Sequence, residues 1–391
     1  MRGWRLALAL MWVGLVACDG GDSESPRVER EDFNAEVARA ICEQLDRCVG
    51  IADMERCREN QLTWGFAKEH GLGTRYDTAL EDGRVRYDAE AAAQCVEFLR
   101  DGACDEAPAS PPVVMRGLEY DTRCRFLLGQ VEVGGACQWT TECKDGTYCD
   151  ALPASCGGVC QRGSAPEPVV ASDACAPGTI FLSGRCLKPG GAGTNCGAED
   201  GKLQGVCDAG TYCEQSQDSK RTCQRVKAEG AACDDSAGPQ CGWPLFCGDG
   251  RCQKPRNEGE ACKALGTASF GRMECRSGLF CDADSGQPGI CRPRRDEAGV
   301  ACRNPFECGQ DMNCVGAGTQ QGVLGTCHPS PRKGEPCGDL SCAMGLVCAS
   351  VSRTCVPIAR LGESCVDTNQ CSRFGTCLDG VCRPPGAESC G

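Results

Sequence analysis

Residues 230–252 read Gly230-Ala-Ala-Cys233-Asp-Asp-Ser-Ala-Gly-Pro-Gln240-Cys241-Gly-Trp-Pro-Leu-Phe-Cys247-Gly-Asp-Gly-Arg-Cys252. Five residues separate the second and third cysteines, and that spacing recurs seven times: Cys143 and Cys149, Cys207 and Cys213, Cys241 and Cys247, Cys275 and Cys281, Cys308 and Cys314, Cys342 and Cys348, Cys371 and Cys377. A further cysteine flanks each pair, so residues 132–391 form tandem four-cysteine modules of roughly 30 residues. The gap from a fourth cysteine to the next first one is nine residues or, once, ten, while the other two gaps wander between four and twelve. A spacing that holds while its neighbours drift marks constrained geometry. The drifting segments are therefore expected to be surface loops, and the fixed joints to stack the modules into a semi-rigid rod. A glycine three residues before every first cysteine, at Gly134, Gly193, Gly230, Gly259, Gly299, Gly334 and Gly362, predicts a turn of positive φ.

Composition says what holds such modules together. The 391 residues include 39 cysteines, 52 glycines and 21 prolines, with only 5% aromatics. Ordering some 30 residues costs ~1.5 kcal/mol each, more than so few apolar side chains offset. Two bridges at about 2–4 kcal/mol each restore the balance by constraining the unfolded chain. This density of cysteine marks a disulfide scaffold of an oxidising compartment. Metal is the poorer account, because the close C-x-C and C-x-x-C spacings of thiolate clusters are absent; no metal and no cofactor is expected. The net charge of −13 argues against nucleic acid or an anionic surface as partner.

The pairing within a module is approached through a defective one at 161–190. Cys175 and Cys186 fall at its second and fourth places, while Val170 and Phe181 stand near the first and third. Joint loss of first and third is tolerated if those two pair. By this reading Cys233 joins Cys247 and Cys241 joins Cys252; Cys262 joins Cys281 and Cys275 joins Cys291; Cys302 joins Cys314 and Cys308 joins Cys327. Likewise Cys337 joins Cys348, Cys342 joins Cys355, Cys365 joins Cys377 and Cys371 joins Cys382. The rival is a bridge across the joint, such as Cys252 to Cys262. The first module holds one surplus cysteine, with Cys156 and Cys160 both candidates, and Cys390 is left over at the end, available to Cys156, Cys160 or another chain. Apolar residues beside the third cysteine, Tyr148, Tyr212, Phe280 and Val347, are expected to form the mini-core of their modules.

Upstream the pattern is different. Residues 1–17 combine a basic start, Arg2 and Arg5, with an apolar run, as in a secretion signal. Leu15-Val16-Ala17-Cys18 resembles the lipobox of bacterial lipoproteins, which implies cleavage before Cys18, lipidation of its sulfur, and a membrane partner through that anchor. Asp19 resembles an inner-membrane retention signal, yet periplasmic and cell-surface placement both stay open. Residues 18–31 read as a flexible tether.

Residues 32–131 are expected to be a small disulfide-braced α-helical domain. Phe33, Val37, Ile41 and Leu45 make one apolar helix face behind a possible N-cap, Asp32, with Cys42 and Cys48 at its border. A second helix is predicted from Asp53 to about His70, carrying Met54, Cys57, Leu62 and Phe66. A third starts behind Asp88 and runs through Ala91, Cys95, Val96 and Leu99 to Gly102. With Cys104 and Cys124 the six cysteines make three bridges of unspecified connectivity.

The Cys137 to Cys149 stretch, with glycine and an aromatic before its third cysteine, resembles the N-terminal cysteine-rich domain of Dickkopf proteins. The whole layout is similar to cysteine-rich lipoproteins of predatory soil bacteria that carry that domain label. The Wnt-antagonist role of Dickkopf does not transfer, because its second cysteine-rich domain has no counterpart here.

Catalytic signatures are missing: no Gly-x-Ser-x-Gly, no H-E-x-x-H and no phosphate loop occurs. His70 and His328 are the two histidines; His70 and Trp64 are better read as a helix end and a core residue than as a site. Asp282-Ala283-Asp284-Ser285-Gly286 opens like a calcium loop but lacks the later bidentate glutamate, so a turn is expected. The expectation is a non-enzymatic, exported, lipid-anchored envelope protein. Its array would serve adhesion or recognition of a protein or glycan, with protease inhibition through module loops as the alternative. Its oligomeric state is not encoded in any pattern found.

Overall fold

The computed structural model describes residues 25–51, 53–63, 76–104, 122–150, 157–163, 179–182, 185–199, 202–215, 221–234, 240–263, 274–283, 287–317, 323–359, 363–371 and 376–383. Cys18, Trp64, His70, Cys156, Cys175, Gly362 and Cys390 lie outside these residues.

Among the described residues, the first part holds four helices, α1 (Phe33–Val49), α2 (Met54–Thr63), α3 (Asp77–Glu81) and α4 (Ala89–Asp101), and a pair of antiparallel strands brought together from either side of α4, β1 (Val85–Tyr87) and β2 (Leu127–Gly129). The four-residue apolar period of α1 faces inward: Phe33, Val37 and Ile41 are buried and Leu45 packs at the edge of the same core. Against them lie Ala92, Cys95, Val96 and Leu99 of α4, and the rings of Phe33, Tyr87 and Phe126 meet in one aromatic cluster. The Tyr87 hydroxyl donates to Val28 O at 2.8 Å, and burial raises its pKa well above the usual range. Buried Gln44 and exposed Arg47 of α1 close the C-terminus of α4 by donating to Gly102 O, satisfying a carbonyl the helix leaves open.

Asp88 caps α4, accepting from the N–H groups of Glu90 and Ala91. Asp53 does the same for α2, at Arg56 N. Asp32 corrects its expected role. Its backbone is already helical and its side chain caps nothing; its carbonyl accepts from Glu36 N instead. The three bridges are Cys42–Cys57, Cys48–Cys104 and Cys95–Cys124. Among the described residues, no helix is long and apolar enough to cross a membrane.

The rest of the described chain consists of small antiparallel β-hairpins cross-linked by disulfides. In the first module, β3 (Ala136–Cys137), β4 (Thr147–Cys149) and β5 (Gly158–Arg162) form a three-stranded sheet in the order β3-β5-β4. In all seven modules the third and fourth cysteines stand directly opposite across the hairpin, as in Cys149 with Cys160 and Cys247 with Cys252. Cross-strand partners project to the same face. Two sulfurs therefore sit side by side there, and the first half of the module is clamped onto them. In the defective repeat Phe181 stands opposite Cys186 in that same register, and Cys186 is disulfide-bonded.

Candidate functional site: the module joint

Every described four-cysteine module joins first to third and second to fourth cysteine. Cys137 bonds Cys149 and Cys143 bonds Cys160, and Cys196 bonds Cys213 and Cys207 bonds Cys223. The pairs Cys233–Cys247, Cys241–Cys252, Cys262–Cys281, Cys275–Cys291, Cys302–Cys314 and Cys308–Cys327 follow. Cys337–Cys348, Cys342–Cys355, Cys365–Cys377 and Cys371–Cys382 complete the set. Cys252 and Cys262 thus belong to different modules. Groups of three sulfurs, such as those of Cys137, Cys143 and Cys149, lie within 4.8 Å of one another. Each is held in a disulfide, so no thiolate is presented to a metal unless the scaffold is first reduced.

Hydrogen bonds account for the fixed joint. The residue four places after a fourth cysteine pairs in parallel with the second cysteine of the next module: Gly190 with Cys207, Lys227 with Cys241, Arg256 with Cys275, Arg295 with Cys308, Ala359 with Cys371. Val131 makes the same bridge to Cys143, so the first module follows the helices as the later modules follow one another. At the sixth module Pro331 occupies the bridging place. Having no N–H, it keeps only the bond from Ala343 N to its carbonyl. Past the bridge the chain turns at the repeated glycine. All six described members of that set have φ between +81° and +89°, the third position of a type II turn. Each donates to the carbonyl of the fourth cysteine of its own module, as Gly230 does to Cys252 at 2.8 Å. The extra residue of the ten-residue joint falls between Arg295 and Gly299, where the bridge and the glycine bond both survive it.

A buried polar side chain completes the joint. Glu142, Gln240, Glu274, Glu307 and Gln370 each precede a second cysteine and accept from the N–H just after the first cysteine, at 2.8, 3.1, 2.5, 3.3 and 2.8 Å. The first four are buried. A basic residue on the incoming chain faces this group: Lys227 Nζ donates to Gln240 Oε1 at 2.5 Å, and Arg295 lies 3.7 Å from Glu307. In the first module the bridging residue is Val131, and Arg84, just before β1, supplies the cation at 2.6 Å from Glu142. Burial pushes the carboxyls of Glu142 and Glu274 up, against the pull of backbone N–H groups and of Arg84 or Arg256. The spacing of cysteines did not single these residues out. The signal was present as Glu or Gln before the second cysteine in five of seven modules.

Of the residues beside the third cysteine, Tyr212 and Phe280 are buried, as expected of a mini-core, but away from the sulfurs. Next to a cysteine in a strand, a side chain projects to the opposite face, so it cannot join the sulfurs. The cores of the third, fourth and fifth modules are mainly cysteine, with one apolar neighbour each, Leu245, Leu279 and Met312. Phe246 and Phe280 instead lie under the guanidinium groups of Arg256 and Arg295, 5.6 and 5.2 Å from ring centre, and hold the outgoing joint. Tyr212 is buried, donates to Glu214, and has its hydroxyl pushed up to about 12 by burial and that bond. Tyr148 and Val347 are half-buried.

The remaining candidates do not converge. His328 is exposed in the strand Gly325–Pro329, 2.7 Å from Thr326 Oγ1. Asp282 is engaged by Arg292, Arg295 and Arg303 at 3.0 to 3.4 Å. Its carboxylate is a counter-ion for the joint between fourth and fifth modules; Asp284, Ser285 and Gly286 lie outside the described residues. The array also departs from a straight rod: Arg56 of α2 meets Asp311 of the fifth module at 2.6 Å. No protein-family model, no curated protein and no solved structure matches the chain.

Proposed function

We propose that the chain is an exported, lipid-anchored bacterial envelope protein without catalytic activity, whose modules present loops for adhesion or for recognition of a protein or glycan. The observation that carries this reading is a repeated frame with variable insertions. The bridges, the glycine turn and the parallel bridge recur from module to module, while the first-to-second and third-to-fourth segments vary from four to twelve residues. Selection for a frame with freely varying loops is the arrangement of binding scaffolds. In this reading Cys18 carries the lipid and the helices with their three bridges form a closed domain next to the membrane; the tether is shorter than residues 19–31, because Val28 packs on the helical core and donates its N–H to Ala89 O, and Arg30 pairs with Asp77. The Dickkopf-like resemblance is then one of cysteine framework, and it brings no signalling role.

Photo-crosslinking side chains placed in the variable loops of the intact protein, for example at residues 264–273 or 318–322, should capture a partner on living cells. The same groups at buried joint positions should not. Capture from neither set, or equally from both, sinks the recognition reading. Protease inhibition is the competing use of such loops: stoichiometric inhibition of a protease panel by the oxidised protein would replace adhesion with it. Separately, Cys18→Ala should move the protein from the membrane to the soluble fraction.

A further inference from the structure

Three places before the third cysteine, four modules turn the chain with a positive φ at a glycine, while the third module carries Pro244 there. Gly146, Gly210, Gly278 and Gly345 do so at +70° to +82°. The fifth module breaks the rule. Asp311 occupies the glycine's place with φ of +60°, a left-handed conformation that aspartate adopts more readily than most residues with a Cβ. Unlike glycine it brings a carboxylate to this turn, and the contacts of that carboxylate show what it does there. One oxygen accepts from Met344 N in the sixth module at 3.1 Å, and the other accepts from Arg56 Nη2 on α2 at 2.6 Å, 255 positions away in the chain.

A second cation approaches the same end of the helices. Arg276, in the fourth module's joint, has its Nη1 3.8 Å from where a Cβ at Gly50 would stand. Gly50 ends α1, where helix carbonyls carry partial negative charge. Two contacts from two successive modules thus reach the α1–α2 corner.

We infer that the array is folded back and latched onto the helical part of its own chain by these charges, with Asp311 as the keeper for Arg56 and Arg276 as the auxiliary contact. The Arg56 and Asp311 side chains are each more than a third exposed, so the latch is a surface ion pair, weak and screened by salt. The folded-back array is in equilibrium with an extended one, and the fourth and fifth modules leave the helices when it opens. This holds whatever the array binds, and does not depend on the recognition reading.

Small-angle X-ray scattering of the intact, oxidised protein tests it. At low salt the wild type should be compact, and at about 1 M salt, where the Debye length falls to ~3 Å, its maximum dimension should rise toward the ~150 Å of eight modules in line. Arg56→Glu should be extended at every salt concentration, and Arg56→Lys should stay compact at low salt. Asp311→Gly installs the residue that four sibling modules carry. It should therefore leave the fifth module folded, by hydrogen exchange of its strands, while extending the array. If both Arg56→Glu and Asp311→Gly scatter as the wild type does, the latch does not exist. If only Asp311→Gly extends the array, the carboxylate serves Met344 alone and the inference is overturned.

Discussion

The helices before residue 104 and a single module such as Cys233–Cys252 are ordered by different materials. The helical part buries Phe33, Val37, Ile41, Tyr76, Leu99 and Phe126 in one continuous hydrocarbon core and adds three bridges around it. The module buries cysteines with one leucine against them, and its order rests on two short loops closed by sulfur. Deleting cross-links should therefore leave the first weakened and the second without a fold, whereas deleting carbon should do the opposite.

Reduction of all bridges is the strongest way to break this comparison. The modules should lose their strands and become rapidly digested, while circular dichroism keeps part of its helical signal; equal resistance of both regions to protease after reduction would erase the distinction. On a single module the double substitution Cys262→Ala with Cys281→Ala removes about 2–4 kcal/mol, enough to unfold the fourth module alone. Hydrogen exchange should show the loss confined to residues 257–293.

Phe33→Ala is the matching cut in hydrocarbon. Its cost of about 3–5 kcal/mol should fall on the helices, measured as a lowered first transition in calorimetry, with module transitions unmoved. An intermediate effect is expected at the buried joint glutamates. Glu142→Ala leaves the Gln138 N–H without its acceptor and Arg84 with Asp82 alone, at about 1–3 kcal/mol, and should loosen the seam between helices and array.

Glu274→Gln sharpens the same point through pH. Because burial holds the Glu274 carboxyl above its ordinary range, the folded state retains the proton more tightly than the unfolded chain does. Its favourable contribution is complete below the unfolded value and disappears as pH rises through the folded one. The glutamine variant, imitating Gln240 and Gln370, should then match the wild type in acid and exceed it in thermal midpoint near neutral pH; a midpoint lower than wild type at pH 7 would refute the assignment. The smallest effect is expected of Gly230→Ala, where nothing lies within 4 Å of the added carbon. Only the positive φ resists it, at about 1–2 kcal/mol.

Much of the module was legible in its letters. Drifting gaps beside a constant one marked the loops and joints, and glycine at a constant offset marked the positive φ. The missing pair in the repeat around Cys175 and Cys186 was enough to suggest which cysteines join. The α1 face from Phe33 to Leu45 followed from its period, and Asp88 as a cap from its place before α4. Other features were less accessible. Asp32 looked like a cap, but the helical geometry reaches back through it. Phe280 looked like core and is buried, but the pleat turns it away from the sulfurs and under Arg295, which its position beside a cysteine did not reveal. The glutamates before the second cysteine repeat plainly, yet their meaning depends on which N–H they reach.

From the letters alone come the covalent frame and its period, because disulfide modules are short, local and written in spacings of a few residues. Only the tertiary structure decides that the array returns to α2, since Arg56 and Asp311 are ordinary surface residues whose encounter depends on angles accumulated over several joints. Small rotations at each parallel bridge add along the chain, and no single joint's sequence records their sum.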